Sequence, residues 1–199
     1  MSGTGDVAAA VVGGAESGSL QDLAVAIIYY GDTPTGLAQA RDAGDLDGDG
    51  LRDMAVLDAD DDGFVHLFTT LAASPTLVLQ DPYAIVEWSE HGGVADVVPL
   101  DDRDGDGRDE LFIPQFFSDS GTQRVWVLQG ADVSYGARID AESSLLTGVS
   151  VVPGARFGYA AALVGDADGD GQDDIAIGAP TFSGGASDAE GATLIPAPR

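Results

Sequence analysis

Apolar residues along the chain fall in short runs of strand length, separated by breaks rich in Gly and Asp. Met54-Ala55-Val56-Leu57, Leu111-Phe112-Ile113-Pro114 and Ile175-Ala176-Ile177-Gly178 each follow an acidic stretch, and Val94 to Leu100 and Ala160 to Val164 precede two of these stretches. Such runs are too short for a stable helix and predict β-strands. Two strands joined by a Gly-rich turn make a hairpin, so each acidic stretch is expected at a hairpin tip. Further strands are expected over Phe64–Thr69 and Thr76–Gln80, beyond a turn at Asp60-Asp61-Asp62-Gly63. A second set is expected over Leu111–Phe116, Val125–Gln129 and Ser134–Ile139. No window approaches the roughly 18–20 apolar residues of a membrane-spanning helix.

The acidic stretches repeat without gaps. Residues 45–53 read DLDGDGLRD, 102–110 read DRDGDGRDE and 166–174 read DADGDGQDD, each in the form acid-x-acid-Gly-acid-Gly-x-x-acid. These windows hold 14 of the 34 acids in 27 residues, which chance clustering does not produce. A worn fourth copy opens the chain. Setting Gly13 against Gly165 lays Val7–Val12 on Tyr159–Val164 and Asp22-Leu23-Ala24-Val25 on Asp174-Ile175-Ala176-Ile177, but only Glu16 and Asp22 remain as acids, too few to hold a divalent ion well. The loops start at residues 14, 45, 102 and 166, in steps of 31, 57 and 64. A period near 60 with room for four strands predicts propeller blades rather than solenoid turns. The expected organisation is one all-β repeat domain over 1–199. It divides into a truncated degenerate unit (1–37), two four-stranded antiparallel blades (38–93 and 94–156) and a partial blade (157–199). Such a set does not close a ring alone, so it is expected to belong to a larger propeller or to leave edge strands open to self-association.

The loop spacing is that of a hard-cation site. Ca²⁺ takes six to eight oxygens at about 2.3–2.6 Å. Acids at positions 1, 3 and 5 turn alternate side chains onto one centre, Gly at position 6 lets the backbone fold around it, position 7 offers a carbonyl and the acid at position 9 closes the shell. The candidate ligands are therefore Asp45, Asp47, Asp49, Leu51 and Asp53; Asp102, Asp104, Asp106, Arg108 and Glu110; and Asp166, Asp168, Asp170, Gln172 and Asp174. An EF-hand is excluded, because position 12 is Val56, Ile113 or Ile177 instead of Glu and the flanks are strand-like. Two His and no Cys disfavour zinc, and Mg²⁺ prefers fewer protein carboxylates, while Mn²⁺ stays open.

Composition narrows the partners. The formal charge is −26, all 8 basic residues are Arg, and 44% of residues are hydrophobic. That apolar share is too high for a disordered acidic chain. A pI near 4.1 argues against nucleic acid and anionic membranes, which need a basic face. The absence of Cys excludes disulfides and a Cys nucleophile. The start of the chain has an acid where a secretory signal would carry Lys or Arg.

Arg156-Phe157-Gly158-Tyr159 ahead of the third loop and Gly178-Ala179-Pro180 behind it resemble the FG-GAP repeat of integrin alpha-chain β-propellers and their bacterial relatives. The first two intact units lack both flanks, with Ala38-Gln39 and Val94-Ala95 in place of Phe-Gly and Ile113-Pro114-Gln115 in place of Gly-Ala-Pro. They resemble the more divergent FG-GAP-like repeats. The resemblance implies calcium in all three loops, held by their acids, and an extracellular or cell-surface role in adhesion or recognition of a protein or glycan.

No catalytic constellation stands out. His66 alternates with the apolar positions of Phe64–Phe68 and is expected on an exposed strand face, and His91 is expected in a turn. Trp88 and Trp126 are expected in the core, and Arg103 and Arg108 as local counter-charges to the second loop. A non-catalytic module is the first reading. The alternative is the scaffold or accessory domain of a secreted hydrolase or polysaccharide lyase.

Overall fold

A computed structural model describes residues 7–12, 24–29, 39–57, 64–69, 77–78, 82–88, 93–94, 96–115, 124–141, 148–149, 158–179 and 191–195. The described residues are all-β apart from one 3₁₀ turn at Gly130–Asp132, and they form four sheets. None of them forms a helix long and apolar enough to cross a membrane.

The second sheet is an antiparallel meander of β3 (Gln39–Gly44), β4 (Asp53–Leu57), β5 (Val65–Phe68) and β7 (Ala84–Glu87). The third is a second meander, of β8 (Val98–Leu100), β9 (Glu110–Gln115), β10 (Arg124–Leu128) and β12 (Gly148–Val149). The fourth joins β13 (Ala161–Gly165), β14 (Asp174–Ala179) and β15 (Gly191–Ile195), again antiparallel. The first contains the antiparallel pair β1 (Val7–Val12) and β2 (Ala24–Tyr29). The hairpins β3–β4, β8–β9 and β13–β14 carry the three acidic loops at their tips. β1 touches β3, β3 touches β8 and β8 touches β13, so the first strands of the four sheets stand side by side.

Two strands sit elsewhere than the chain order suggests. The run at 76–80 contains β6 (Leu77–Val78), which leaves its own unit and lies parallel along β2. The run at 134–139 overlaps β11 (Ala137–Asp140), which lies parallel along β7 of the preceding sheet. The fourth meander positions that these runs were expected to fill are held instead by β7 and β12. In β7 the reason is packing: Ala84 and Val86 are buried and join the core, while Ile85 and Glu87 alternate outward.

Alternation along the strands builds two cores between stacked sheets. Ala55, Leu57, Val65, Leu67, Ala84 and Val86 of the second sheet meet Leu111, Ile113, Trp126 and Leu128 of the third. On the other face of the third sheet, Phe112, Val125 and Val127 join Val98 and Leu100 against Ile175 and Ile177 of the fourth. The third sheet is thus buried on both faces, which is why its strands Leu111-Phe112-Ile113 and Val125-Trp126-Val127-Leu128 read as continuous apolar runs. Leu111 and Ile113 occupy the same steps after their loop as Ile175 and Ile177, and each pair faces the preceding sheet. Met54 and Val56, at those steps in β4, are buried outside the core shared with the third sheet. The stack is regular.

Candidate metal centre

All three loops are closed by the same kind of hydrogen bond, from backbone N–H groups to the loop's own carboxylates. In the first, the Asp45 carboxylate accepts from Gly48, Asp49 and Gly50 at 2.8–3.0 Å. Asp102 accepts from Gly105, Asp106 and Gly107, and Asp166 from Gly169 and Gly171. The third-position carboxylates of Asp47, Asp104 and Asp168 accept from position 5, and those of Asp49, Asp106 and Asp170 accept from position 7. This chain of side-chain-capped turns bends the backbone around one point. The bend needs left-handed residues at positions 4 and 6, and Gly48, Gly50, Gly105, Gly107, Gly169 and Gly171 all lie between φ +79° and +93°.

The ninth residue belongs to the strand that follows and reaches back into its loop. Asp53 accepts from Leu46 N–H at 2.8 Å, Glu110 from Arg103 at 2.7 Å, and Asp174 from Ala167 at 2.8 Å. All three are buried, at 4%, 1% and 1% exposure. In loops one and three the carboxylates that converge within 4.8 Å are the first, third and ninth: Asp45, Asp47 and Asp53, then Asp166, Asp168 and Asp174. In the second loop they are the first, third and fifth, Asp102, Asp104 and Asp106. Asp49, Asp170 and Glu110 stand outside these sets.

Glu110 Oε1 is buried with no hydrogen-bond partner. Burial pushes the Glu110 carboxyl above its usual range; the bond from Arg103 opposes this, and the charges of Asp104, Asp102 and Asp106 add to it. An orphaned carboxylate oxygen beside three other carboxylates lacks a positive partner, and a hard divalent cation supplies one. The donor set of carboxylate oxygens fits calcium chemistry.

Positions 7 are Leu51, Arg108 and Gln172, and their side chains point to other tasks. Leu51 is exposed. The Arg108 guanidinium donates to the carbonyls of Gly130 and Val133 at 3.1 and 3.3 Å. Gln172 Oε1 accepts from Arg103 Nη1 at 2.8 Å, and Arg103 Nη2 donates to the Asp173 carbonyl at 3.0 Å. Arg103 therefore bridges two loops instead of only offsetting the charge of its own. A cavity of about 240 Å³ lies along this bridge. Asp109, passed over in the sequence pattern as a non-ligand, bonds to Asp45 of the first loop. Loop spacing holds no signal for a partner 64 residues away.

His66 is half-buried and packs edge-on to Phe64 at 6.2 Å, less exposed than strand alternation suggested. Trp88 and Trp126 are 8% and 2% exposed and belong to the core between the second and third sheets. His91, Glu16 and Asp22 lie outside the described residues. No curated protein matches the chain in sequence. Residues 157–194, which hold the third loop and its hairpin, match the family model of the FG-GAP repeat.

Proposed function

We propose that the chain is a calcium-binding, non-catalytic module of β-propeller type, in which each sheet with its loop is a blade, and that it serves adhesion or recognition outside the cell. The observation that supports calcium most directly is the buried, unpartnered Oε1 of Glu110 beside Asp102, Asp104 and Asp106. The loops at 45–53 and 166–174 repeat the same hydrogen-bonded frame, which favours one ion in each. The ligands are the acids at positions 1, 3, 5 and 9, with the position 7 carbonyls of Leu51, Arg108 and Gln172. The ion's role is structural: it offsets clustered negative charge and ties the ninth residue of the following strand to the loop. Stability gained this way grows with free calcium. Extracellular calcium modules hold the ion at about 10⁻⁴–10⁻³ M, which suits a site that is filled only outside the cell. Side-by-side first strands and stacked sheets agree with blades around an axis.

Native mass spectrometry with millimolar CaCl₂ tests the reading by counting ions. Three bound ions are expected, falling to two in Asp168→Ala and staying at three in Asp132→Ala, an exposed acid outside the loops. A chain that keeps no calcium, or loses it equally in both variants, sinks the reading.

A further inference from the structure

The first two loops share a backbone clasp. Asp109 is the eighth residue of the second loop, between Arg108 and Glu110, and it is not one of the ligand candidates. Its Oδ2 accepts the N–H of Asp45 at 2.9 Å, and its own N–H donates to the carbonyl of Asp45 at 2.8 Å. Both backbone polar groups of Asp45 are thereby held by one residue of the neighbouring loop. Asp45 is also the residue whose carboxylate gathers the N–H groups of Gly48, Asp49 and Gly50. Whatever fixes its backbone fixes where that carboxylate can reach.

The junction has little slack. A Cβ on Gly48 would lie 3.1 Å from the Gly107 carbonyl oxygen and 3.3 Å from Arg108 Cγ. From the other side, a Cβ on Gly130 would lie 2.5 Å from Arg108 Cβ and 2.7 Å from the Asp109 carbonyl oxygen, so the 3₁₀ turn backs the same two residues. Packed groups without voids transmit a shift instead of absorbing it. The junction between loops two and three differs. There the link is the Arg103 side chain on Gln172 and Asp173, a long arm with freedom to adjust.

We propose that Asp109 is a positioning residue for the cation site of the first loop, so that the first and second loops fill in a coupled way. The proposal rests on reading these loops as calcium sites. An ion that draws Asp102, Asp104 and Glu110 together fixes the 108–110 segment, which holds Asp109 against Asp45. Linkage then requires the reverse as well: an ion in the first loop tightens the second by the same factor.

Calorimetric titration of the whole chain with CaCl₂ tests this, using wild type, Asp45→Ala, Asp109→Ala, the Asp45→Ala/Asp109→Ala double variant, Asp109→Asn and Asp102→Ala. Asp109→Ala is expected to weaken one site about 10–100-fold, the range for a residue that orients a metal ligand without touching the metal. The weakened site is the one that Asp45→Ala abolishes, and the double variant shows no further loss elsewhere. Asp109→Asn keeps an oxygen for the Asp45 N–H and is expected to restore most of the affinity. Asp102→Ala keeps the Asp109 side chain but empties the second loop, so the 108–110 segment is no longer fixed by an ion, and the first site is expected to weaken about fivefold or more. That arm stands whether or not Asp109→Ala folds. Independent filling of the first loop in Asp102→Ala, or Asp109→Ala titrating as wild type, overturns the proposal while leaving the calcium reading intact. A wild-type chain that takes up no calcium overturns both.

Discussion

Gly44 and Asp109 approach so closely that a Cβ on Gly44 would lie 2.7 Å from Asp109 Oδ2 and 2.8 Å from Asp109 Cβ. Gly44 also has φ +80°, in the left-handed region. Two separate penalties therefore fall on any side chain there: backbone strain and collision with a residue held at both ends. Gly50 has φ +84° and open space around it, so it isolates the first penalty. Gly50→Ala is expected to cost about 1–2 kcal/mol from conformation alone. Gly44→Ala adds an overpacking cost of about 1–3 kcal/mol. Urea unfolding of both variants without calcium checks the order. Equal losses would mean that the contact between the loops gives way freely.

Burial of the third sheet on both faces makes its core residues unusually sensitive. Phe112 is 2% exposed and faces the fourth sheet, whereas Ile113 is 0% exposed and faces the second. Phe112→Ala is expected to destabilise by about 3–5 kcal/mol and Ile113→Ala by about 2–5 kcal/mol, from lost transfer energy plus an unfilled cavity. Tyr135→Ala, at an 82% exposed position where the ring only meets Tyr83 edge-on at 5.9 Å, is expected to cost no more than about 1.5 kcal/mol. Thermal melts at fixed calcium distinguish these outcomes, and a mild effect at both 112 and 113 would contradict the stacking.

The loops were legible because their physics is local. Asp45 finds the N–H groups of Gly48 and Gly50 within five residues, and Gly at those places follows from the positive φ. Strands after the loops were legible because Met54–Leu57 and Leu111–Ile113 are apolar runs. β3 was not, since Gln39, Ala40 and Asp42 are exposed and leave no apolar run to read. Strand character in Thr76–Gln80 and Ser134–Ile139 was also visible, but not the partner: β6 and β11 pair with the preceding sheet, and the propensity that makes a strand does not select its neighbour. The same holds for Asp109 and Arg103, whose bonds join loops more than 60 residues apart.

Glu110 should change the sign of its effect with calcium. Without the ion its carboxylate is buried among like charges and has one oxygen unpartnered, so ionisation is disfavoured in the folded state. Glu110→Gln removes that charge while leaving an oxygen for the Arg103 N–H, and at neutral pH it is expected to melt higher than wild type in EGTA. In millimolar CaCl₂ the order is expected to reverse, because the variant lacks a charged ligand. A variant that melts higher, or lower, than wild type in both media would separate Glu110 from the ion.

The pair Arg52 and Asp42 offers a pH test on two groups that are not themselves ligand candidates. Arg52 Nη2 lies 2.7 Å from Asp42 Oδ2, and Gly44 N–H donates to Asp42 Oδ1 at 3.1 Å, so the pair steadies the strand end that leads into the first loop. Burial pushes the Asp42 carboxyl upward, but the Arg52 hydrogen bond, the Gly44 N–H and the Arg52 charge together hold it below its usual value. An acid whose folded value is lowered stabilises the fold above the ordinary carboxylate range, and this contribution is lost as pH falls through the lowered value. Both side chains are about half exposed, at 57% and 51%, so solvent screens them and the contribution stays within about 1 kcal/mol. Asp42→Asn is therefore expected to melt slightly below wild type at pH 7 and level with it near the acid limit of folding. Salt at about 1 M should shrink the neutral-pH difference, because the screening length falls to about 3 Å. A gap that persists unchanged into acid would show that Asp42 acts there as a hydrogen-bond acceptor for Gly44 and not through its charge.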